Sequence, residues 1–505
     1  MLYRFSVTLP LAVCLFLCAG AAYAQLGADA ARTGTVVVLD VVVSGDDDVQ
    51  TLIDAGYLIT SVSGDHATLF ATLDEMAQLL SDGYIVTEIG EDGTGPAPTP
   101  GAKGLGVYHD YAALTAELQA YAAAHPDIAR LTSLGQSVQG RELWAIKITD
   151  NPDTEEDEPE FKYVSTMHGN EFVGVEMCLY FIDRLLTDYG TDARITDLVD
   201  STELWIVPLM NPDGREIPQR LNANGFDLNR SFPEFPVDYM DTAFDGEPLG
   251  EDGRPPEVQH IMRWTADNSF VLSANFHTGA LVVNYPYDHE VGIPSGSEAV
   301  SPDDLLFQDL SLRYSLANPS MVVSTDPPDT VNGIVNGSDW FAVADGMQDW
   351  NYRYAACNEV TIELSSTFIP AEGSLPTFWA ENEESMLSYV EGAQIGIRGI
   401  VTDATTGDPV WAKVTVQGNP QPVFTDRDVG DYHRLLLPGT YTITVYSYWY
   451  EPMEIEGVVV GAGDATRVDV ELVALPLAAA SPWGHAALAM LVCAMALFTR
   501  RFGTQ

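Results

Sequence analysis

Hydrophobic and polar positions alternate with a period of two in several short runs near the start of the chain. Between residues 33 and 89 the pattern predicts a strand, a helix, two strands, a second helix and a final strand. This β-α-β-β-α-β order is typical of ferredoxin-like α+β folds. Residues 90–101 are rich in glycine and proline, a composition that indicates a linker. The sequence therefore predicts a small N-terminal module separated from the rest of the chain.

The pattern changes from Tyr108 onward. An amphipathic helix that ends before Pro126 is followed by continuous apolar runs, which alternate with segments of helical periodicity. The apolar runs cover residues 143–148, 161–167, 203–210, 270–277 and 359–365. Apolar strands separated by helices are typical of an α/β domain in which helices cover both faces of the sheet.

After Gln394 the chain returns to short alternating strands separated by glycine and proline turns. Residues 396–473 contain five such runs, which is the pattern of a small all-β sandwich. The fold expected from these patterns is thus an α/β domain between a small α+β module and a β-sandwich.

Both ends of the chain resemble targeting segments. Residues 1–24 combine one arginine, an apolar run and Ala22-Tyr23-Ala24 before Gln25, as in a cleavable secretory signal peptide. Near the other end, the apolar residues 486–498 lead into Arg500-Arg501. This run is shorter than the ~20 residues of a full membrane span, and its layout indicates a sorting signal or a transmembrane anchor. The protein is therefore expected in the periplasm, at the cell surface or outside the cell, held at the envelope by its C-terminal segment.

The charge balance excludes one class of partner. The chain has 73 acidic and 23 basic side chains and a formal net charge of −50. Nucleic acid is not an expected partner, since phosphate binding needs clustered lysine and arginine. Beyond the two ends, the cysteines are Cys178 and Cys357, which could pair in an oxidising compartment.

A candidate metal site follows the apolar run 161–167. His168 and Glu171 stand three residues apart at the predicted end of that strand. Hydrolytic zinc sites commonly use two histidines and one glutamate and keep a further position open for water. His277, at the end of another apolar run, is the preferred third ligand, with His260 and His289 as alternatives.

Four further residues are candidates for binding or converting a substrate. The adjacent Asn229 and Arg230 can bind a carboxylate, and Arg220 lies ten residues earlier. Surface ion pairing is the alternative interpretation of these arginines. Glu363 lies inside an apolar strand, where a carboxylate is costly unless it is paired or catalytic; a solvent-facing strand position is the alternative for this residue.

Taken in order, these segments resemble the zinc metallocarboxypeptidases, specifically the carboxypeptidase N/E subfamily, over residues 108–475. The matching segments are HGNE at 168–171, NPDG at 211–214, RLNANGFDLNRSFP at 220–233, SANFHTGALVVNYPYD at 273–288, NGSDWFAVADGMQDWNY at 336–352 and VTIELS at 360–365. Residues 396–473 resemble the transthyretin-like domain, also described as carboxypeptidase regulatory-like, that follows the catalytic domain in this subfamily.

The resemblance implies a metalloprotease, a hydrolase that binds one Zn²⁺ per chain. His168, Glu171 and His277 match the metal ligands. Glu363 matches the general base that takes a proton from zinc-bound water, and Arg220 matches the residue that stabilises the developing oxyanion.

The resemblance also implies how the substrate is bound. Asn229 and Arg230 match the pair that binds the free C-terminal carboxylate of a peptide or protein. Asp288 and Gln348 match positions of the pocket that selects arginine or lysine. Phe341 stands where the family usually has a tyrosine, and we expect weaker substrate binding from the missing hydroxyl unless the nearby tyrosines 352 and 354 compensate.

The sequence therefore predicts an exported, monomeric carboxypeptidase that releases basic residues by proteolysis of peptide C-termini. The expected boundaries are 1–24 for the signal peptide, 25–89 for an accessory or pro-like module, 90–104 for the linker, 105–394 for the catalytic domain with a mixed sheet, 395–475 for the β-sandwich and 476–505 for the C-terminal sorting signal or anchor. Two alternatives stay open: a related zinc peptidase or amidase acting on cell-wall peptides, and an inactive binding protein of the envelope.

Overall fold

The computed structural model describes residues 36–91, 107–234 and 253–476, except residues 56, 64 and 329. The predicted signal peptide, most of the predicted linker and nearly all of the C-terminal segment lie outside the described residues. Across the described ranges, no helix is both long enough and apolar enough to cross a membrane.

The N-terminal module has the predicted order of elements. They are β1 (Val36–Val42), α1 (Asp46–Asp54), β2 (Leu58–Ser63), β3 (His66–Thr72), α2 (Leu73–Asp82) and β4 (Ile85–Glu91). The strands are arranged β2-β3-β1-β4 with antiparallel pairing, so that β2 lies at an edge. Thr72 and Glu75 form a reciprocal capping box at the start of α2, and Gly83 ends the helix in the left-handed conformation.

The second part of the chain contains a mixed sheet. Its strands are β5 (Ala129–Gln136), β6 (Glu142–Ile148), β7 (Glu160–Ser165), β8 (Glu203–Val207), β9 (Phe270–His277), β10 (Ala280–Tyr285), β11 (Ile334–Asn336) and β12 (Asn358–Ser365). Within the described residues, eight strands are ordered β11-β10-β12-β9-β7-β8-β6-β5. Neighbours from β12 through β9 and β7 to β8 are parallel, which brings their carboxyl ends to one edge.

Helices cover both faces of this sheet, as the apolar runs predicted. They are α3 (Tyr111–Ala124), α4 (Val173–Asp188), α5 (Ala193–Val199), α6 (Pro212–Glu216), α7 (Pro256–Ala266), α8 (Asp304–Ser315), α9 (Gly337–Trp340), α10 (Met347–Ala355) and α11 (Leu375–Val390). Tyr163 packs in the cluster with α4, α8 and α11, whereas the adjacent Val164 packs in the cluster with α7 and α10. Because successive strand residues point to opposite faces, β7 is buried on both sides.

The C-terminal part is a β-sandwich, as expected. Its strands are β13 (Ile397–Asp403), β14 (Lys413–Val416), β15 (Asn419–Phe424), β16 (Asp431–Arg434), β17 (Gly439–Tyr446), β18 (Met453–Val460), β19 (Thr466–Arg467) and β20 (Val470–Leu472). One sheet is built on β13 and the other has the order β15-β14-β17-β18.

A buried ion pair joins the sandwich to the α/β domain. The guanidinium of Arg434 donates to both carboxylate oxygens of Asp303 at 2.8 and 3.0 Å, and the Tyr352 hydroxyl donates to the same carboxylate at 2.9 Å. Both bonds come from one guanidinium nitrogen of Arg434, and the pair connects side chains of the two domains.

The suggested pairing of the two body cysteines is not present. Cys178 lies on α4 and Cys357 lies just before β12, and both are free, buried thiols. Cys357 instead donates to the Ser273 hydroxyl over 3.2 Å. They therefore act as small apolar core residues.

Candidate active site

The candidate residues gather at the carboxyl ends of the parallel strands. His168 and Glu171 follow β7, His277 ends β9, and Glu363 lies opposite His277 in the register of β12 with β9. Crevices at the carboxyl ends of parallel strands are the usual ligand sites of α/β sheets. Residues far apart in sequence meet here because the strands that carry them are neighbours.

The turn after β7 depends on a close approach between two glycines. A side chain at Gly169 would place its Cβ 2.2 Å from the backbone of Gly214, in the NPDG segment. The Gly169 amide donates to the carbonyl of Arg220 at 3.2 Å. This contact holds the HGNE turn against the segment that carries Arg220.

Three potential ligands converge on one point. Nδ1 of His168 lies 2.8 Å from one carboxylate oxygen of Glu171, and Nδ1 of His277 lies 2.8 Å from the other. All three side chains are buried, and one donor atom from each lies within 4.8 Å of the others. Burial lowers the pKa of His277, which favours the neutral imidazole that a metal ion requires.

Asp227 is a site residue that sequence reasoning missed. One carboxylate oxygen of Asp227 lies 3.0 Å from Nε2 of His168, and the other accepts from Nε of Arg220 at 2.9 Å. Accepting the Nε2 proton leaves Nδ1 of His168 with a free lone pair toward the ligand cluster. The only signal in the sequence was its place two residues before Asn229, inside the FDLNR segment.

Arg220 lies next to the ligand cluster. Its NH1 donates to Glu171 at 3.4 Å, and its guanidinium is buried. Burial raises the pKa of Glu171, but the adjacent His168 and His277 lower it more, so that its pKa lies below the ordinary value. Its neighbours therefore keep the buried side chain of Glu171 in its charged carboxylate form.

Asn229 and Arg230 lie on a short 3₁₀ turn, Leu228–Arg230, and both line the same cavity as the ligand cluster. Oδ1 of Asn229 accepts from the Met347 amide at 3.0 Å, so that the amide nitrogen of Asn229 is left for other partners. The pair therefore adjoins the ligand cluster, and its role in binding a carboxylate stays a prediction.

Glu363 also lines this cavity and is buried rather than solvent-facing. Within the described residues, its Oε2 has no hydrogen-bond partner. Burial raises the pKa of Glu363 well above its ordinary value, and the charge of Glu171 adds to this. A buried carboxyl with one unengaged oxygen is suited to take up a proton.

Asp288 provides the deep end of the cavity. Its side chain is 3% exposed, and Oδ1 accepts from Nε2 of Gln348 at 2.8 Å. A side chain at Gly337 would place its Cβ 2.0 Å from this oxygen, so glycine is needed for Asp288 to take its position. Burial raises the pKa of Asp288, followed by the charge of Asp349.

Phe341 lines the cavity beside Trp340, with their ring centroids 4.7 Å apart. The two tyrosines suggested as substitutes for the missing hydroxyl lie elsewhere: Tyr352 donates to Asp303, and Tyr354 packs beside α7. Neither of these tyrosines lines the cavity.

The N-terminal module covers this region. The guanidinium of Arg230 donates to the carbonyl of Ile59 at 3.1 Å, and Nε1 of Trp340 donates to the carbonyl of Val62 at 3.1 Å. The apolar core of the module is continuous with Trp340 and Phe341. Edge strand β2 thus lies against the predicted carboxylate-binding residue.

The alternative third ligands are excluded by their positions. His260 lies on α7 and its Nε2 faces the carbonyl of Gln136 at 3.2 Å. His289 pairs with Glu234. Only His277 of the three approaches Glu171 among the described residues.

Comparison with known proteins identifies the family of this chain. Residues 114–385 match the family described as zinc carboxypeptidase, and residues 396–473 match the carboxypeptidase regulatory-like domain. The catalytic chain of carboxypeptidase N from Rattus norvegicus is 39% identical over 375 residues, covering 69% of this chain and 82% of the relative. This chain belongs to the zinc carboxypeptidase family.

Carboxypeptidase D from Mus musculus is 42% identical over 384 residues, which cover 72% of this chain but only 27% of the relative. This chain therefore spans about a quarter of that protein's length. A solved structure of carboxypeptidase A from Helicoverpa armigera superimposes with a TM-score of 0.55 at 19% identity, covering 71% of this chain and 97% of the other. The zinc carboxypeptidase fold is thus confirmed.

The family requires zinc, and the ligand cluster of this member fits that metal. Two imidazole nitrogens and one carboxylate form a donor set that zinc prefers in hydrolytic sites. His168, Glu171 and His277 would hold the ion, and Asp227 would orient His168.

We predict that Asp227→Asn weakens zinc binding about 10- to 100-fold, because an amide oxygen is a weaker acceptor for the Nε2 proton of His168 and the amide NH2 would face the Nε–H donor of Arg220. Competition with a chromogenic chelator measures this affinity. Glu257→Gln is the control, since Glu257 is another buried carboxyl, bonded to Asn222. An equal loss in both variants, or no loss in Asp227→Asn, would contradict the proposed orienting role.

Proposed function

We propose that this chain is an exported zinc carboxypeptidase that hydrolyses the last peptide bond of its substrates and releases arginine or lysine. The observation that carries the proposal is a single cavity that contains every class of group this reaction needs. The cavity is lined by the three zinc-binding residues, by Arg220, Asn229 and Arg230, by Asp288 and by Glu363.

Asn229 and Arg230 would bind the free carboxylate of the substrate. A guanidinium matches a carboxylate in charge and in its pair of donors. An internal peptide segment offers no carboxylate at this position. Recognition of the chain end would therefore restrict the enzyme to removing one terminal residue.

Zinc, when bound, would act as a Lewis acid that activates water and polarises the scissile carbonyl. Glu363 takes the proton from the attacking water and later delivers it to the leaving amine. Arg220 stabilises the negative charge that develops on the carbonyl oxygen.

Asp288 would select a basic side chain. It is a buried acidic group that accepts a hydrogen bond from the neutral amide of Gln348. A lysine or arginine side chain entering the cavity would supply the missing positive charge, whereas an aromatic side chain would leave the carboxylate unpaired.

The N-terminal module is, in this proposal, a pro-like segment rather than a neutral accessory. With the module seated, Arg230 donates to Ile59, and a substrate carboxylate must compete with this contact. The apolar packing of the module against Trp340 and Phe341 restricts the same entrance.

Export and attachment to the envelope rest on the two ends of the sequence. The cell-wall alternative uses the same cavity, since the amine of diaminopimelate would also pair with Asp288. Both uses begin with a free carboxylate on the substrate.

We predict that Glu363→Gln lowers kcat by about 10²- to 10⁴-fold, because the amide cannot accept the proton. Zinc content, measured by atomic absorption, should be unchanged. Glu359→Gln is a matched control on the same strand, where Glu359 accepts from Ser273 and Asn275. Retention of more than about a tenth of the activity in Glu363→Gln would refute its role as the base.

We predict a higher kcat/KM for peptides ending in arginine than for otherwise identical peptides ending in phenylalanine. Asp288→Asn should lower kcat/KM for the arginine peptide by roughly 30-fold, equivalent to about 2 kcal/mol, and leave the phenylalanine peptide nearly unchanged. Equal turnover of both peptides by the wild type would contradict basic specificity. Release of diaminopimelate from muropeptides in a parallel assay would instead favour the cell-wall activity.

We predict that release of the module raises kcat/KM about tenfold or more. A specific protease site is inserted within residues 92–106 of the full chain, and activity is compared before and after cleavage. The same protein treated with inactivated protease is the control. Unchanged activity after the module has dissociated would assign it an accessory role.

A further inference from the structure

A second group of acidic side chains lies where the α/β domain meets the β-sandwich, away from the ligand cluster of His168, Glu171 and His277. Glu155 precedes β7 and Glu160 is the first residue of β7. Asp426 lies in the loop between β15 and β16. One carboxylate oxygen from each of the three lies within 4.8 Å of the others. Two domains therefore contribute to one cluster of oxygen atoms.

Glu160 carries the strongest sign of a ligand. Its side chain is 98% buried, since only 2% of the residue is exposed. Oε1 accepts from the Ser269 amide at 2.7 Å, whereas Oε2 has no hydrogen-bond partner among the described residues. Burying a carboxylate oxygen without a hydrogen-bond partner costs free energy, and this points to a positively charged partner.

Asp431, beside the cluster, is like Glu160 in having one carboxylate oxygen that is engaged and one that is not. Its Oδ2 lies 2.9 Å from Nε2 of His433, and its buried Oδ1 has no partner within the described ranges. Asp431 and His433 line the same cleft as Glu155, Glu160 and Asp426. The cleft thus contains carboxylates from both domains with unused oxygen atoms.

The nearby basic side chains do not balance these charges. Nζ of Lys147 lies 2.5 Å from Glu203 and 3.8 Å from Glu155, and Arg467 pairs with Asp157. In the part of the chain that the structure describes, no lysine or arginine forms an ion pair with Glu160 or Asp426.

Burial and the neighbouring carboxylates disfavour the charged forms of these groups as long as no cation is bound. Burial raises the pKa of Glu155 to about 8, with Glu203 adding to the effect. Burial also raises the pKa of Glu160, followed by the charge of Glu155.

We propose that this seam binds one calcium ion, held by Glu155, Glu160 and Asp426 with Asp431 in reach. The donors are carboxylate oxygens, which hard divalent cations prefer, and Ca²⁺ tolerates the irregular geometry of ligands from two domains. An adjoining cavity of about 470 Å³, lined in part by Ser269 and Asp426, provides a path from solvent. The ion would link the sandwich to the α/β domain in addition to the Asp303–Arg434 ion pair.

Calcium binding is tested on the zinc-loaded full chain in 0.15 M NaCl, by isothermal titration with CaCl₂ and by thermal unfolding with and without a calcium-selective chelator. We expect one Ca²⁺ per chain and an increase of Tm with calcium. Titration with MgCl₂ is the comparison, because diffuse attraction to an acidic surface does not distinguish the two ions.

Glu160→Gln should weaken Ca²⁺ binding by at least about tenfold and abolish the calcium-dependent increase in Tm. Asp426→Asn is the second variant, since Oδ1 of Asp426 accepts from the amides of Asp428 and Val429 and an asparagine oxygen preserves both bonds. Glu471→Gln, at an exposed position of the same sandwich, should bind calcium as the wild type does.

Three results would overturn the proposal. They are the absence of stoichiometric calcium binding, an equal effect of magnesium and calcium on Tm, and binding that survives both Glu160→Gln and Asp426→Asn. The first result would identify the cluster as protonated carboxyls, the second would indicate nonselective attraction of cations, and the third would place the calcium site elsewhere. The first of these interpretations also predicts that Glu160→Gln is at least as stable as the wild type in chelator and equally stable in calcium.

Discussion

The site depends on the interactions of one buried carboxylate, that of Glu171. Its two oxygens face the Nδ1 atoms of His168 and His277, and Arg220 donates to one of them. A single carboxylate cannot stay charged at 2% exposure without such partners. The need to satisfy it explains why two histidines and one arginine, from three separate segments, are held at fixed distances.

The scaffold around Glu171 is set by parallel strand pairing. The carboxyl ends of β7, β9 and β12 lie at the same edge of the sheet. The register of β12 with β9 places Glu363 beside His277. Glycines at 169 and 337 provide the room for the neighbouring segment and for Asp288. Rigid strands thus set the positions of the proposed catalytic groups, and short turns set those of the proposed substrate-binding groups.

Negative charge is used in two different ways in this acidic chain. Most acidic side chains within the described ranges are accessible to solvent, but Asp288 and Glu160 are buried with neutral hydrogen-bond partners. A buried carboxylate without a cation is a strong acceptor for one. This common feature connects the proposed preference for basic substrates with the proposed calcium site, although the two places are far apart in the fold.

Several features were determined by the sequence alone. Hydrophobic periodicity predicted the three-part architecture, because strand and helix burial imposes repeats of two and about 3.6 residues. Spacing and motif resemblance predicted the ligand set and Glu363. Only the tertiary structure decided that His277 rather than His260 or His289 joins the cluster, that Asp227 orients His168, that Cys178 and Cys357 stay apart, and that β2 contacts Arg230. These are contacts between distant segments, and they depend on strand order and domain packing, which local patterns of polarity do not encode.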